Sequence, residues 1–108
     1  MPLLSLDWSV EEQHIARRAF STAYERELQE TLEQVRNAAQ TIVCSEDLWK
    51  LHDFLSAKRH EMDGKYDERS SMLIFVFADL IKGGWISLDE LQGLDEEKLS
   101  KIAALTRM

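Results

Sequence analysis

Ser9 followed by Glu12 forms a capping box, and Val10, Ile15, Ala16, Ala19 and Ala23 then open an apolar pattern of helical period. From Leu28 the apolar positions run Leu32, Val35, Ala39 and Ile42, at intervals of four, three, four and three. That is the heptad seam of a helix lying lengthwise on another helix. The first helix thus reaches about thirty residues, or roughly 45 Å at ~1.5 Å per residue. Such a rod projects beyond a domain whose expected radius of gyration is about 13 Å. Its seam needs a partner, supplied either by a second copy of the chain or by an intramolecular hairpin.

The remaining elements are shorter. Ser45 is expected to cap a second helix running through Asp63 and stopped by Gly64, where a left-handed backbone costs nothing. A third is expected from about Asp67 to Lys82, ending at Gly83 and Gly84. Its centre, Met72 to Phe77, is apolar all round and rich in β-formers, so a buried strand is the alternative; helix is preferred because no second strand-like segment exists to pair with it. Ser87 and Glu90 make a second capping box opening a short helix to about Leu91. Asp95 then caps a last helix through Arg107, with Leu99, Ile102, Ala103 and Leu105 on its apolar stripe. The pattern predicts one all-α domain over residues 1–108, with a stem over about 9–63 and a small helical head over about 64–108.

Composition narrows the function. The chain has 108 residues, 44% of them hydrophobic and 31% charged, with four Gly and one Pro, a folded helical composition rather than a disordered or all-β one. A formal charge of −7 without a long Lys/Arg block argues against nucleic acid as a partner. Cys44 is the single cysteine, which excludes an internal disulfide and reads as a small hydrophobe in a reducing compartment. The start, MPLLSLDWSVEEQ, lacks a basic region leading an apolar run, so no secretory signal and a cytoplasmic location are expected. The apolar run Met72–Ile81 spans ten residues and contains Asp79, well short of the ~20 that a membrane-crossing helix needs.

The stretch DLWKLHDFLSAKRHEMDGKYDERS, Asp47 to Ser70, concentrates Trp, His, Asp, Arg and Lys. On a helical wheel Leu48, Leu51, Leu55 and Met62 share an arc of about 60°, while Trp49, His52, Asp53, Ser56, Arg59 and His60 share an adjoining arc of about 120°. An apolar stripe beside one with an aromatic, a guanidinium and a carboxylate suits a protein interface. Catalysis fits less well. His52 and Asp53 should point about 100° apart and so fail as the orienting pair of a triad. HEMDG carries Gly64 where a zincin helix needs its second His, and His52 and His60 stand two turns apart. No phosphate loop, dinucleotide fingerprint or EF-hand loop occurs, so no catalytic residue, metal or cofactor is expected.

The segment Asp47–Leu80, DLWKLHDFLSAKRHEMDGKYDERSSMLIFVFADL, resembles the central region of the fluorescence recovery protein family. The likeness extends more loosely to AFSTAYERELQETLEQV and DEEKLSKIAALTRM, with Met62 and Glu68 as mild departures. The resemblance implies an all-α dimer of paired long helices with small heads. It further implies a regulator without covalent chemistry that binds the photoactivated red form of the orange carotenoid protein, mainly through its C-terminal domain. Such a regulator speeds the return to the orange form and helps detach it from the phycobilisome, acting at the cytoplasmic face of the thylakoid. By the same resemblance the partner-binding patch falls on Trp49, His52, Asp53 and Arg59, with Phe75 and Lys101 in the head, and the dimer contact falls on Leu48. The alternatives are a generic helical adaptor dimer that sequesters another protein and, more remotely, a metal-dependent enzyme.

Overall fold

The computed structural model describes residues 7–108 and consists of helices joined by short turns: α1 (Val10–Gln40), α2 (Ser45–Lys65), α3 (Leu73–Lys82), a 3-10 turn (Leu88–Leu91) and α4 (Glu96–Thr106). Met72–Phe77 is helical from Leu73 onward, and no strand forms among the described residues. The described chain measures 56 × 26 × 24 Å with a radius of gyration of 16.9 Å, well above the ~13 Å of a compact domain of this length. The excess is the projecting stem.

Both capping boxes form, at Ser9–Glu12 and at Ser87–Glu90. Four boundaries differ from the sequence expectation, the smallest at α4, which ends at Thr106 rather than Arg107 and whose N-cap Asp95 makes no side-chain cap bond. Cys44 rather than Ser45 occupies the N-cap of α2; it makes no side-chain cap, and the Asp47 carboxylate instead accepts the Val43 N–H at 3.2 Å. Gly64 does not stop α2, which continues to Lys65 without a left-handed residue. There tertiary contacts of Lys65 and Tyr66 outweigh the weak helix preference of glycine. The third helix opens at Leu73 rather than Asp67, because the Asp67 carboxylate takes the Arg69 N–H and guanidinium and holds a turn there.

The core lies in the head. The first half of α1 lays Ala16, Ala19 and Ala23 against Leu73, Ile74, Phe77 and Leu80 of α3, with Ile86, Leu91, Leu94 and Ile102 closing the cluster. Small residues on α1 allow close approach of α3, which is buried nearly all round. Phe77, Leu80, Leu91 and Ile102 are fully buried. Gly93 adopts φ 107°, which side-chain-bearing residues rarely reach, and packs close to Ile15 of α1, whose terminal methyl would have to move aside for a Cβ.

Charge fastens the two ends of this body. Glu12 accepts the Ser9 N–H at 3.0 Å, the Asp95 N–H at 2.9 Å and the Lys98 ammonium at 2.8 Å. Lys98 also donates to the Asp7 carbonyl and lies 4.7 Å from the centroid of the Trp8 ring. Burial alone would raise the Glu12 pKa, but Lys98 and the two backbone N–H groups override it and hold the carboxyl at about 2 rather than 4.5. A carboxylate so depressed adds stability above its unfolded pKa and loses it as pH falls toward the folded value. Glu12→Gln should therefore lower the urea midpoint at pH 7 by roughly 2–3 kcal/mol equivalent. The difference from the parent should shrink steadily between pH 5 and pH 2. Equal losses at both pH values would show that the carboxylate charge is not what stabilises this end.

Candidate functional site

The α1–α2 connection is an antiparallel hairpin, and its pairing stripe is not the heptad seam read from the sequence. On α1 the residues turned inward past the head are Glu27 and Thr31, both buried, followed by half-buried Val35 and Ala38. On α2 they are Leu51, Lys58, Met62 and Lys65. Much of the expected seam stays open: Leu32 and Ala39 are exposed and Leu28 and Ile42 half-buried. The apolar arc of α2 divides likewise, with Leu51 and Met62 turned inward while Leu48 and Leu55 remain 47% and 39% exposed. With Phe54 at 39% and Trp49 at 60%, they leave the stem with a broad apolar surface.

The polar arc of α2 is contiguous. His52, Asp53 and Arg59 line one shallow depression together with Leu55, Ser56 and His60. Trp49 adjoins it, its ring edge-on to that of His52 with centroids 6.1 Å apart. The expectation that His52 and Asp53 diverge is corrected: His52 Nδ1 and Asp53 Oδ1 are 3.3 Å apart, their flexible side chains bridging the angular gap. Both side chains are largely in water, at 67% and 81% exposure, and no hydrogen bond joins the Ser56 hydroxyl to His52 among the described residues. A solvated pair of this kind neither desolvates nor orients a base. Phe75 and Lys101 lie on the head, Phe75 half-buried on α3 and Lys101 on α4 with its ammonium 3.4 Å from Glu97. The six residues thus divide into one strip on α2 and two residues on the head.

A second polar constellation lies at the stem–head junction, and sequence reasoning missed it. Glu27 is fully buried; Lys58 and Lys65 each donate to its Oε2 at 2.7 Å, and the Tyr66 hydroxyl donates to its Oε1 at 2.8 Å. Burial opposes ionisation of Glu27, yet the two ammonium groups and the phenol keep its pKa below the ordinary value. Burial and the Glu27 charge raise that of the Tyr66 phenol well above its usual range. The Tyr66 ring is braced edge-on by Phe20 and Tyr24, both at 5.2 Å between centroids. The signal was present: Glu27 continues the Ala16–Ala19–Ala23 stripe at the next helical interval, a carboxylate where an apolar residue was due. Among the described residues no group of three His, Cys, Asp or Glu could hold a metal ion, and no helix is long and apolar enough to cross a membrane.

Residues 8–106 match the family described as photoprotection regulator fluorescence recovery protein, which places the chain in a class of all-α regulatory proteins. A fluorescence recovery protein from Synechocystis sp. (strain ATCC 27184 / PCC 6803 / Kazusa) is 54% identical over 101 residues, spanning 94% of this chain and 93% of the relative. The solved fluorescence recovery protein of Fremyella diplosiphon superposes with a TM-score of 0.91 at 58% identity, and that of Synechocystis sp. PCC 6803 with 0.90 at 53%. Each comparison covers 94% of this chain and 100% of the solved one. The chain belongs to the fluorescence recovery protein family.

Proposed function

We propose that this protein is a non-covalent regulator of the orange carotenoid protein. It binds the photoactivated red form, mainly through that partner's C-terminal domain, accelerates return to the orange form and helps detach it from the phycobilisome. Quenching then ends and fluorescence recovers. The observation that carries the reading, beside family membership, is the exposed strip of Trp49, His52, Asp53 and Arg59. Trp49, Arg59 and Asp53 are the anchor, fork and carboxylate of a recognition surface.

The protein acts as a homodimer through the apolar stem surface that includes Leu48, at the cytoplasmic face of the thylakoid where its partner works. Phe75 and Lys101 add a second contact from the head. The photoactivated partner has separated its domains; a protein holding one domain in docking geometry raises the effective concentration for reclosure without altering a bond. Turnover requires the red form and the reclosing transition state to be bound more tightly than the orange product.

The decisive measurement is the decay of red-form absorbance in the dark with and without this protein. A substoichiometric amount should accelerate it, whereas an unchanged decay would favour an adaptor for some other target. Trp49→Ala should weaken binding by about 2 kcal/mol, roughly thirtyfold. Arg59→Lys should also slow recovery, because charge is retained while the planar fork is lost. Helicity and molecular mass measured on the same samples separate lost recognition from lost folding. Full acceleration at limiting concentration by both variants would remove the strip from the binding site.

A further inference from the structure

Trp85 joins the head to α2, whereas α1 already belongs to the head core through Ala16, Ala19 and Ala23. Trp85 follows the end of α3, where the Trp85 N–H returns to the Leu80 carbonyl at 2.9 Å and the Gly84 N–H to the Ile81 carbonyl at 3.0 Å, with Gly84 at φ 81°. These paired bonds close a helix through a left-handed residue that glycine adopts without strain. The indole then folds back over bare backbone: a Cβ on Gly83 would lie 2.9 Å from its Cδ1 and Nε1. On the stem side Lys58 and Lys65 bring their ammonium groups to 5.9 and 5.8 Å from an indole ring centroid, inside the ~6 Å reach of a cation–π contact. These are the ammonium groups that Glu27 aligns. Arg26 secures the same residue from another direction, donating to the Trp85 carbonyl at 2.9 Å and in bidentate fashion to Glu90 at 2.8 and 2.9 Å.

We propose that Trp85 is a positioning residue: gripped by the Glu27-aligned lysines and Arg26, it fixes α2 against the head and so sets Phe75 and Lys101 relative to the Trp49–Arg59 strip that α2 carries. Its consequence for activity rests on the functional reading above, whereas its effect on geometry does not. Two contact regions on one rigid body engage a partner with the gain of bivalency only while their separation matches the partner; a swinging α2 dilutes the second contact. The role is separable from folding because the head core is closed by Phe77, Leu80, Leu91 and Ile102, while Trp85 stays half-buried beside it.

With Cys44, the single cysteine, replaced by Ser, Ala57→Cys on an exposed position of α2 and Ser100→Cys on an exposed position of α4 supply two sites for spin labels. Pulsed spin resonance, with labelled protein diluted into unlabelled protein, then reads the α2–head distance. The doubly labelled parent should give one narrow distribution. Trp85→Leu, which keeps bulk without a π face, and Gly83→Ala, which displaces the ring, should broaden it at unchanged helicity; Trp85→Phe should restore it. At limiting concentration Trp85→Leu should accelerate red-form decay at least about tenfold less than the parent, with recovery in Trp85→Phe. A narrow parental distribution in both Trp85→Leu and Gly83→Ala would overturn the proposal, and so would broadened distances with full acceleration. If the parent itself leaves the red form unaffected, the functional reading falls while the distance distributions still decide whether Trp85 holds the head.

Discussion

Leu48→Glu should give a folded protein of monomer mass. In the single chain Leu48 is 47% exposed at the start of α2, so a glutamate there meets water and costs the monomer little. In the proposed dimer the same position lies in an apolar contact, where an unpaired carboxylate costs several kcal/mol. At about 1.4 kcal/mol per factor of ten, such a cost raises a dissociation constant of about 1 μM by roughly two powers of ten or more, which leaves micromolar protein monomeric. The exposed stem residues Leu32, Phe54 and Leu55 mark the surface expected to be released. Light scattering across a micromolar dilution series, with circular dichroism beside it, reads both mass and helicity. Unaltered dimer mass at every concentration would move the contact away from Leu48.

Removing Glu27 should produce the largest loss of stability from any single carboxylate. Glu27→Met takes the carboxylate from Lys65, leaves Lys58 with only the exposed Glu61 at 3.3 Å, and takes the acceptor from the Tyr66 hydroxyl. Breaking one side of a buried ion cluster costs about 3–5 kcal/mol. The lower end applies because the two lysine side chains retain 19% and 20% exposure and can turn toward water. Lys65→Met should cost distinctly less, since Lys58 continues to neutralise Glu27. The check is a urea midpoint for each variant at one fixed protein concentration, so that association does not enter the comparison. A Glu27→Met loss no greater than that of Lys65→Met would show that the carboxylate does not organise the junction.

The helical skeleton was legible in the chain because its signals are local. Each capping box needs only residues three apart, and the Gly83–Gly84 pair marks a helix end that almost any surroundings would honour. The strip of Trp49, His52, Asp53 and Arg59 was legible for a similar reason: helical periodicity alone assigns residues to one side of α2. The misplaced boundaries lie where distant contacts intervene. Gly64 remains helical because Lys65 and Tyr66 beyond it are held by Glu27, which is 38 and 39 residues away in the chain.

The sequence by itself determined an all-α fold, a first helix too long for a compact body, and the company that Trp49, His52, Asp53 and Arg59 keep on α2. Those properties follow from spacing and capping, which act within a turn or two. Only the tertiary structure decided which stripe of each helix faces inward. A helix with apolar residues on several sides has more than one plausible seam, and the choice fell to burial of the Glu27 carboxylate between two lysines and a tyrosine, a long-range condition that no local pattern encodes. That choice turned Leu51 and Met62 inward and left Leu48, Leu55 and Trp49 at the surface. It also brought Trp85 of the head against Lys58 and Lys65 of the stem, because side chains far apart in the chain become neighbours only once the helices have packed.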